Sequence, residues 1–163
     1  MRFIKLGIIS IVFFAVFHTI LSFFFPSHIR ISKATDIPAE KDSLMMNLSN
    51  PVYWKKWYPG ADSANVIPNG IRTGDERSLV VTGITDSTVT IASGGPGAKE
   101  GAGGWNIFPG SSPGVYTVQW YMDFSLRWYP WEKFSGLLLE KRYGPMMEKG
   151  LEKLKALLSE GTS

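Results

Sequence analysis

Between residues 115 and 128 the chain alternates without a break. Tyr116, Val118, Trp120, Met122, Phe124, Leu126 and Trp128 take the even positions, and Thr117, Gln119, Tyr121, Asp123, Ser125 and Arg127 the odd ones. Successive side chains of a strand point to opposite faces, so period two over this length predicts a long antiparallel strand with one buried and one wet face. Asp123 falls on the wet face and is a poor candidate for a buried catalytic acid. Upstream, Ile29 and Ile31 alternate with Arg30 and Ser32, which predicts a strand that ends at Ile37-Pro38. "SLVVTGITDSTVTIAS" predicts two more strands, joined near Thr85-Asp86-Ser87.

Helical periods occupy the rest. Leu44, Leu48 and Val52 recur every four residues, and Asn50-Pro51 divides that stretch into two short helices, with Asn50 as N-cap and Pro51 at the first helical position. From about Pro130 to Leu158 two stripes follow, Trp131, Phe134 and Leu138, then Met147, Leu151, Leu154 and Leu158. Gly144-Pro145 lies between them. Pro145 has no N–H for the carbonyl of Lys141, which predicts a kink or two abutting helices. An antiparallel sheet with a wide apolar face needs a cover, and the C-terminal helix is the element long and apolar enough to supply it. The expected fold class is α+β.

The chain opens with a different pattern. Leu6 to Phe25 contains no acid, Lys or Arg. At ~1.5 Å per residue a helix of this length spans ~30 Å, one hydrocarbon core. A cleaved signal peptide has a shorter apolar run ending in a small-x-small site, whereas this run ends Ser22-Phe23-Phe24-Phe25-Pro26. Residues 1–26 therefore predict an uncleaved single-pass transmembrane anchor, 27–160 one domain and 161–163 a tail. The short positive flank of Arg2 and Lys5 points to an N-terminus inside and an exported, extracytoplasmic domain. His18 inside the span is more readily a tolerated imidazole bonded back to a carbonyl than a functional group.

Charge narrows the partners. Net charge is +3, but all 14 acidic residues lie beyond residue 27 with every Lys and Arg except Arg2 and Lys5, so the domain is nearly neutral with mixed signs. A nucleic-acid binder needs a clustered basic face, and none is present. Cysteine is absent, which excludes disulfides, thiolate metal sites and Cys nucleophiles. No Ser/His/Asp set, metal-ligand cluster or paired carboxylates appear, so no catalytic residue, metal or cofactor is assigned. The run "GGPGAKEGAGG" lacks the Gly-Lys-Ser/Thr of a phosphate loop and reads as a loop between strands. Asn47-Leu48-Ser49 matches a glycosylation acceptor, a tripeptide too loose to carry weight. In "YWKKWYPG", Trp54 and Trp57 lie three apart on one helical face, with Lys55 and Lys56 elsewhere. Core packing at a corner is the first reading of this stretch, and membrane contact through the lysines and Tyr58 the second.

Three stretches together resemble the SRPBCC or START-like superfamily, whose helix-grip fold is also that of Bet v 1 and the polyketide cyclase/dehydrase group. "HIRISKATDIPAEK" is similar to the first strand and its exit. "LSNPVYWKKWYPG" is similar to the paired short helices ending in a Trp-x-x-Trp-x-Pro corner. "YGPMMEKGLEKLKALLSE" is similar to the end of the C-terminal helix. The resemblance spans residues 28 to 160 and includes bacterial forms with a single N-terminal membrane segment. It implies a curved sheet wrapped on the C-terminal helix, with an apolar cavity for a lipid or other hydrophobic small molecule. Tyr116, Trp120, Met122, Phe124 and Trp128 would form the cavity floor, and Trp131, Phe134 and Leu138 its cover. The same stripe equally well fills the core solidly. A cyclase-, dehydrase- or hydrolase-like enzyme, with Arg127 or Glu132 at the cavity mouth, and a protein-interaction domain with a filled core are the alternatives; no protein partner is named by the sequence.

Overall fold

A computed structural model describes residues 2–23, 27–74, 76–95, 101–127, 129, 132, 136 and 138–160. Helix α1 (Arg2–Phe23) precedes strand β1 (His28–Pro38), then α2 (Lys41–Ser49) and α3 (Pro51–Trp57). Six strands follow: β2 (Asn65–Ile67), β3 (Gly70–Arg72), β4 (Ser78–Ile84), β5 (Thr88–Gly94), β6 (Gly101–Pro109) and β7 (Val115–Ser125). The long C-terminal helix α4 (Leu139–Glu160) closes the order. All seven strands form one antiparallel sheet in the order β1-β7-β6-β5-β4-β3-β2. This is the α+β helix-grip architecture.

Helix α1 has the length and apolarity to cross a membrane over Phe3–Leu21, and none of that segment is buried against the domain. Inside it His18 donates from Nδ1 to the carbonyl of Phe14 at 2.8 Å, and Thr19 Oγ1 donates to that of Ala15 at 2.8 Å. Both polar groups are thereby satisfied within the helix, as a hydrocarbon surrounding requires.

The strand alternation carries directly into burial. On β7, Val118 and Trp120 are fully buried, with Met122 and Phe124 half-buried on the same face. On the outer face Asp123 forms a two-pronged pair with Arg30 of β1, Nε to Oδ1 at 2.7 Å and Nη2 to Oδ2 at 2.8 Å. The α2–α3 break is where the sequence placed it. Asn50 Oδ1 accepts from the Val52 N–H at 3.1 Å, Pro51 opens α3, and the two helices meet at that residue. The indole N–H groups of Trp54 and Trp57 then donate back to the carbonyls of Leu48 and Asn47, at 2.9 and 3.3 Å, which locks α3 onto α2. Trp54 and Trp57 are fully buried and Tyr58 nearly so, so the Trp-x-x-Trp stretch is a structural corner. Asn47 is also buried, its Nδ2 donating to the Ser43 carbonyl, and that inaccessibility removes it as a glycosylation acceptor.

Two expectations need correction. Of the kink or two abutting helices expected at Pro145, the division into two helices does not occur, because α4 runs through it as one element. The glycine-rich run is not all loop, because Gly101 to Gly104 belong to β6, while residues 96–100 lie outside the described residues. A short hairpin, β2–β3, was not anticipated. It turns at Pro68-Asn69, with Asn69 in the left-handed region (φ 57°), and Asn-Gly between short apolar runs was the available signal.

Strand directions give the domain two distinct ends. β1, β4 and β6 begin, and β5 and β7 finish, at the end where the chain leaves α1, here called the tether end. There the Leu126 N–H donates to the Ser27 carbonyl at 2.7 Å. The far end holds Pro38, Gly114 and the finish of α4 near Ser159. Helix α4 thus runs from the tether end to the far end, packed along β1 and against α3.

Candidate functional site

The inner face of the sheet falls into two halves of opposite character. Over its middle, Trp54, Trp57 and Tyr58 from α3 and its exit meet Trp105 of β6 and Trp120 of β7, which face each other in register. Ring centroids lie 5.0 to 6.3 Å apart, mostly edge-on or tilted, the spacing of a packed aromatic cluster. All four tryptophans are fully buried. Burial pushes the Tyr58 phenol well above its ordinary value, with Tyr143 nearby adding to the shift, so Tyr58 stays neutral. Among the described residues the indole N–H groups of Trp105 and Trp120 have no hydrogen-bond partner.

Toward the tether end the side chains thin out. The inner positions of β6 read Ile107, Trp105, Gly103 and Gly101, from large groups to none. Gly103 pairs with Met122 and Gly101 with Ser93, and a Cβ at Gly101 would meet Ser93 Oγ at 2.7 Å. Around this bare floor stand Leu79 of β4, Ile91 and Ser93 of β5, and Met122 and Phe124 of β7. Ile91 and the floor residue Gly103 are buried, and Leu79, Ser93, Met122 and Phe124 are half-buried. Phe124 meets Tyr143 of α4 at 5.0 Å between ring centres. These residues supply apolar contact area, one hydroxyl and one phenol, without an acid–base pair. Lys33, also on an inner strand face, is drawn off to α4. It bonds Glu148 at 2.9 Å and Glu140 at 3.6 Å, and the Glu148 bond raises its pKa.

The expected floor residues therefore separate. Trp120 is solid core. Met122 and Phe124 are half-buried beside the glycine positions of β6. Tyr116 sits at the far end, beside a shallow depression of about 500 Å³ lined also by Pro38, Glu40, Lys41 and Ser159. Leu138, expected to cover the floor, is instead 64% exposed. Trp128, Trp131 and Phe134 lie outside the described residues. Sequence reasoning missed Gly101, Gly103, Ile91, Ser93, Leu79 and Tyr143. The parity of Gly101, Gly103, Trp105 and Ile107 was the signal for the first two, masked because glycine carries no hydropathy pattern. A second depression, about 570 Å³, is lined mainly by outer-face residues such as Val80, Ala92 and Asp123, and also by Ser93 and Gly101 at the edge of the inner face.

On that outer face, hydrogen bonding to Arg30 holds the Asp123 carboxyl below the usual carboxylate range. A carboxyl whose folded-state pKa is depressed contributes stability above its unfolded value of ~3.9, and loses it as pH falls through the folded one. Both side chains are substantially exposed, at 62% and 37%, so Asp123→Asn is expected to cost no more than about 1 kcal/mol at neutral pH. Denaturant titrations should show that difference shrink in high salt and vanish in acid.

No family model matches the chain, and no curated protein matches it. Solved structures do. A START superfamily protein from Mycobacterium smegmatis aligns with a TM-score of 0.62 at 14% identity, covering 80% of this chain and 97% of that one. The Aha1 dimer from Colwellia psychrerythraea aligns at 0.55 and 15% identity, covering 83% and 99%. The di-domain ARO/CYC StfQ from the steffimycin biosynthetic pathway aligns at 0.60 and 10% identity, covering 83% of this chain and 52% of that one.

Proposed function

We propose, from the START-like (SRPBCC) helix-grip fold that this chain has, that it is a membrane-tethered binding module for a hydrophobic small molecule or lipid. The observation that carries this reading is the change from large side chains to glycine on the inner face of β6 at Gly103 and Gly101, beside the half-buried Leu79, Met122 and Phe124 at one end of an otherwise packed sheet. Ligand pockets are concave and mostly apolar, with few polar groups, and this half of the inner face has that composition. The tether is α1, spanning the bilayer over Phe3–Leu21 with the domain on the exported side. Binding is favoured over turnover because Leu79, Ile91, Ser93, Met122 and Phe124 offer contact area but no paired acid and base.

The test is native mass spectrometry of the full-length protein released from membranes in mild detergent. The expected result is a bound apolar mass that is lost in Met122→Trp, which fills the floor, and weakened about tenfold or more in Phe124→Ala, which removes one wall. A bare protein mass after incubation with membrane lipid extract would overturn the reading. Retention of the same mass by Met122→Trp, with the fold intact by circular dichroism, would place the ligand elsewhere.

A further inference from the structure

We infer that the tether end of the domain docks on the bilayer surface, with Leu138, Lys141 and Arg142 as its contact rim, so that the ligand passes directly between membrane and floor. This rests on the binding reading above and adds the source of the ligand, a molecule dissolved in the same bilayer.

Chain length is the first support. From Phe23, the last residue of α1, to Ser27, already hydrogen-bonded to Leu126, is four residue steps, or ~14 Å when fully extended. The start of β1 and the finish of β7 are therefore held within a short reach of the headgroups. β1 has 11 residues and spans ~37 Å, so the far end lies well outside that reach. The bare floor is on the near side, since Gly101 opens β6 and Phe124 lies one residue before the end of β7.

Surface chemistry is the second support. At the same end an exposed Leu138 precedes exposed Lys141 and Arg142 in the first turn of α4, and Arg127 is exposed just beyond β7. Two of the described acids beside this rim have partners. Glu140 faces Lys33, and Glu132 accepts from the Arg127 backbone N–H at 2.8 Å. An exposed leucine flanked by cations matches an anionic bilayer surface, where each basic residue strengthens association about fivefold. Tyr58, the aromatic needed for docking through the Trp-x-x-Trp corner instead, is buried.

The chain lacks cysteine, so a single Leu138→Cys or Ser112→Cys each carries one environment-sensitive label, at the tether end and in the far-end β6–β7 turn respectively. The full-length protein is placed in phosphatidylglycerol-containing nanodiscs doped with spin-labelled lipid, and quenching is compared. The expected result is strong quenching at 138 and little at 112, with the quenching at 138 falling toward the 112 level when Lys141→Ala and Arg142→Ala are combined. Equal quenching, or more at 112, overturns the orientation whatever the mass spectrometry shows. Strong quenching at 138 with no bound lipid mass instead overturns the binding reading, and with it the entry route, while the docked orientation survives.

Discussion

Trp120→Ala is expected to lower the unfolding free energy by about 4 kcal/mol, the middle of the range for deleting a large aromatic from a packed core. Trp120 is fully buried, and it touches Trp57, Tyr58 and Trp105 at ring-centre distances of 6.1, 5.0 and 5.7 Å. Removing it would strip the centre from the cluster that joins α3 to β6 and β7. Trp120→Phe separates the contributions. It keeps a ring in the cluster and discards an indole N–H that is buried without a partner, a group whose desolvation costs ~1–3 kcal/mol. The phenylalanine variant is thus expected to lose only about a third as much as the alanine one. Urea denaturation followed by circular dichroism measures both. If Trp120→Ala left stability unchanged and abolished ligand uptake, Trp120 would face an open cavity and the two-half description of the inner face would be wrong.

The sequence showed that Trp120 and Phe124 share a face, but not that they have different neighbours on it. Period two is a local property of β7, since it follows from the pleat. What lies above each position is decided by chain segments far away, α3 for Trp120 and α4 for Phe124. The Asn50-Pro51 break was legible because a cap and a fixed φ act within a few residues. The continuity of α4 through Pro145 was not, because the loss of one hydrogen bond is local while the packing of the helix onto β1 and α3 is tertiary. Leu138 shows the same limit. It fits the i, i+3, i+4 spacing with Trp131 and Phe134, yet it precedes α4 and faces solvent. The glycine floor was hidden for the opposite reason. Its defining feature is missing side chains, and a reading built on hydropathy sees such a stretch as loop.

Gly150→Leu is expected to be at least as damaging as the loss of Trp120, and Gly150→Ala to lose about 1 kcal/mol, although alanine is worth about 1 kcal/mol more than glycine inside a helix. A Cβ at Gly150 would lie 2.6 Å from Cζ3 of Trp120 and 2.9 Å from Cδ of Pro59. Neither neighbour yields easily, one being a fully buried indole and the other a ring fixed at the α3 exit, so α4 itself must back away. Six residues earlier the same change has the opposite expected sign. A Cβ at Gly144 would meet Cε of Lys33 at 3.2 Å, the end of a flexible chain that can move aside, so Gly144→Ala is expected to be neutral or stabilising. Thermal melts of the two alanine variants, run side by side, test whether α4 is held by close approach at Gly150 rather than by general helix propensity. That contact also bears on function. With α4 pressed onto Trp120 and Pro59, the aromatic half of the inner face has no room to open. On the proposed binding reading the ligand is housed toward the tether end, beside Gly101 and Gly103, and Gly150→Leu is expected to abolish its uptake by lifting the helix that carries Tyr143 away from Phe124.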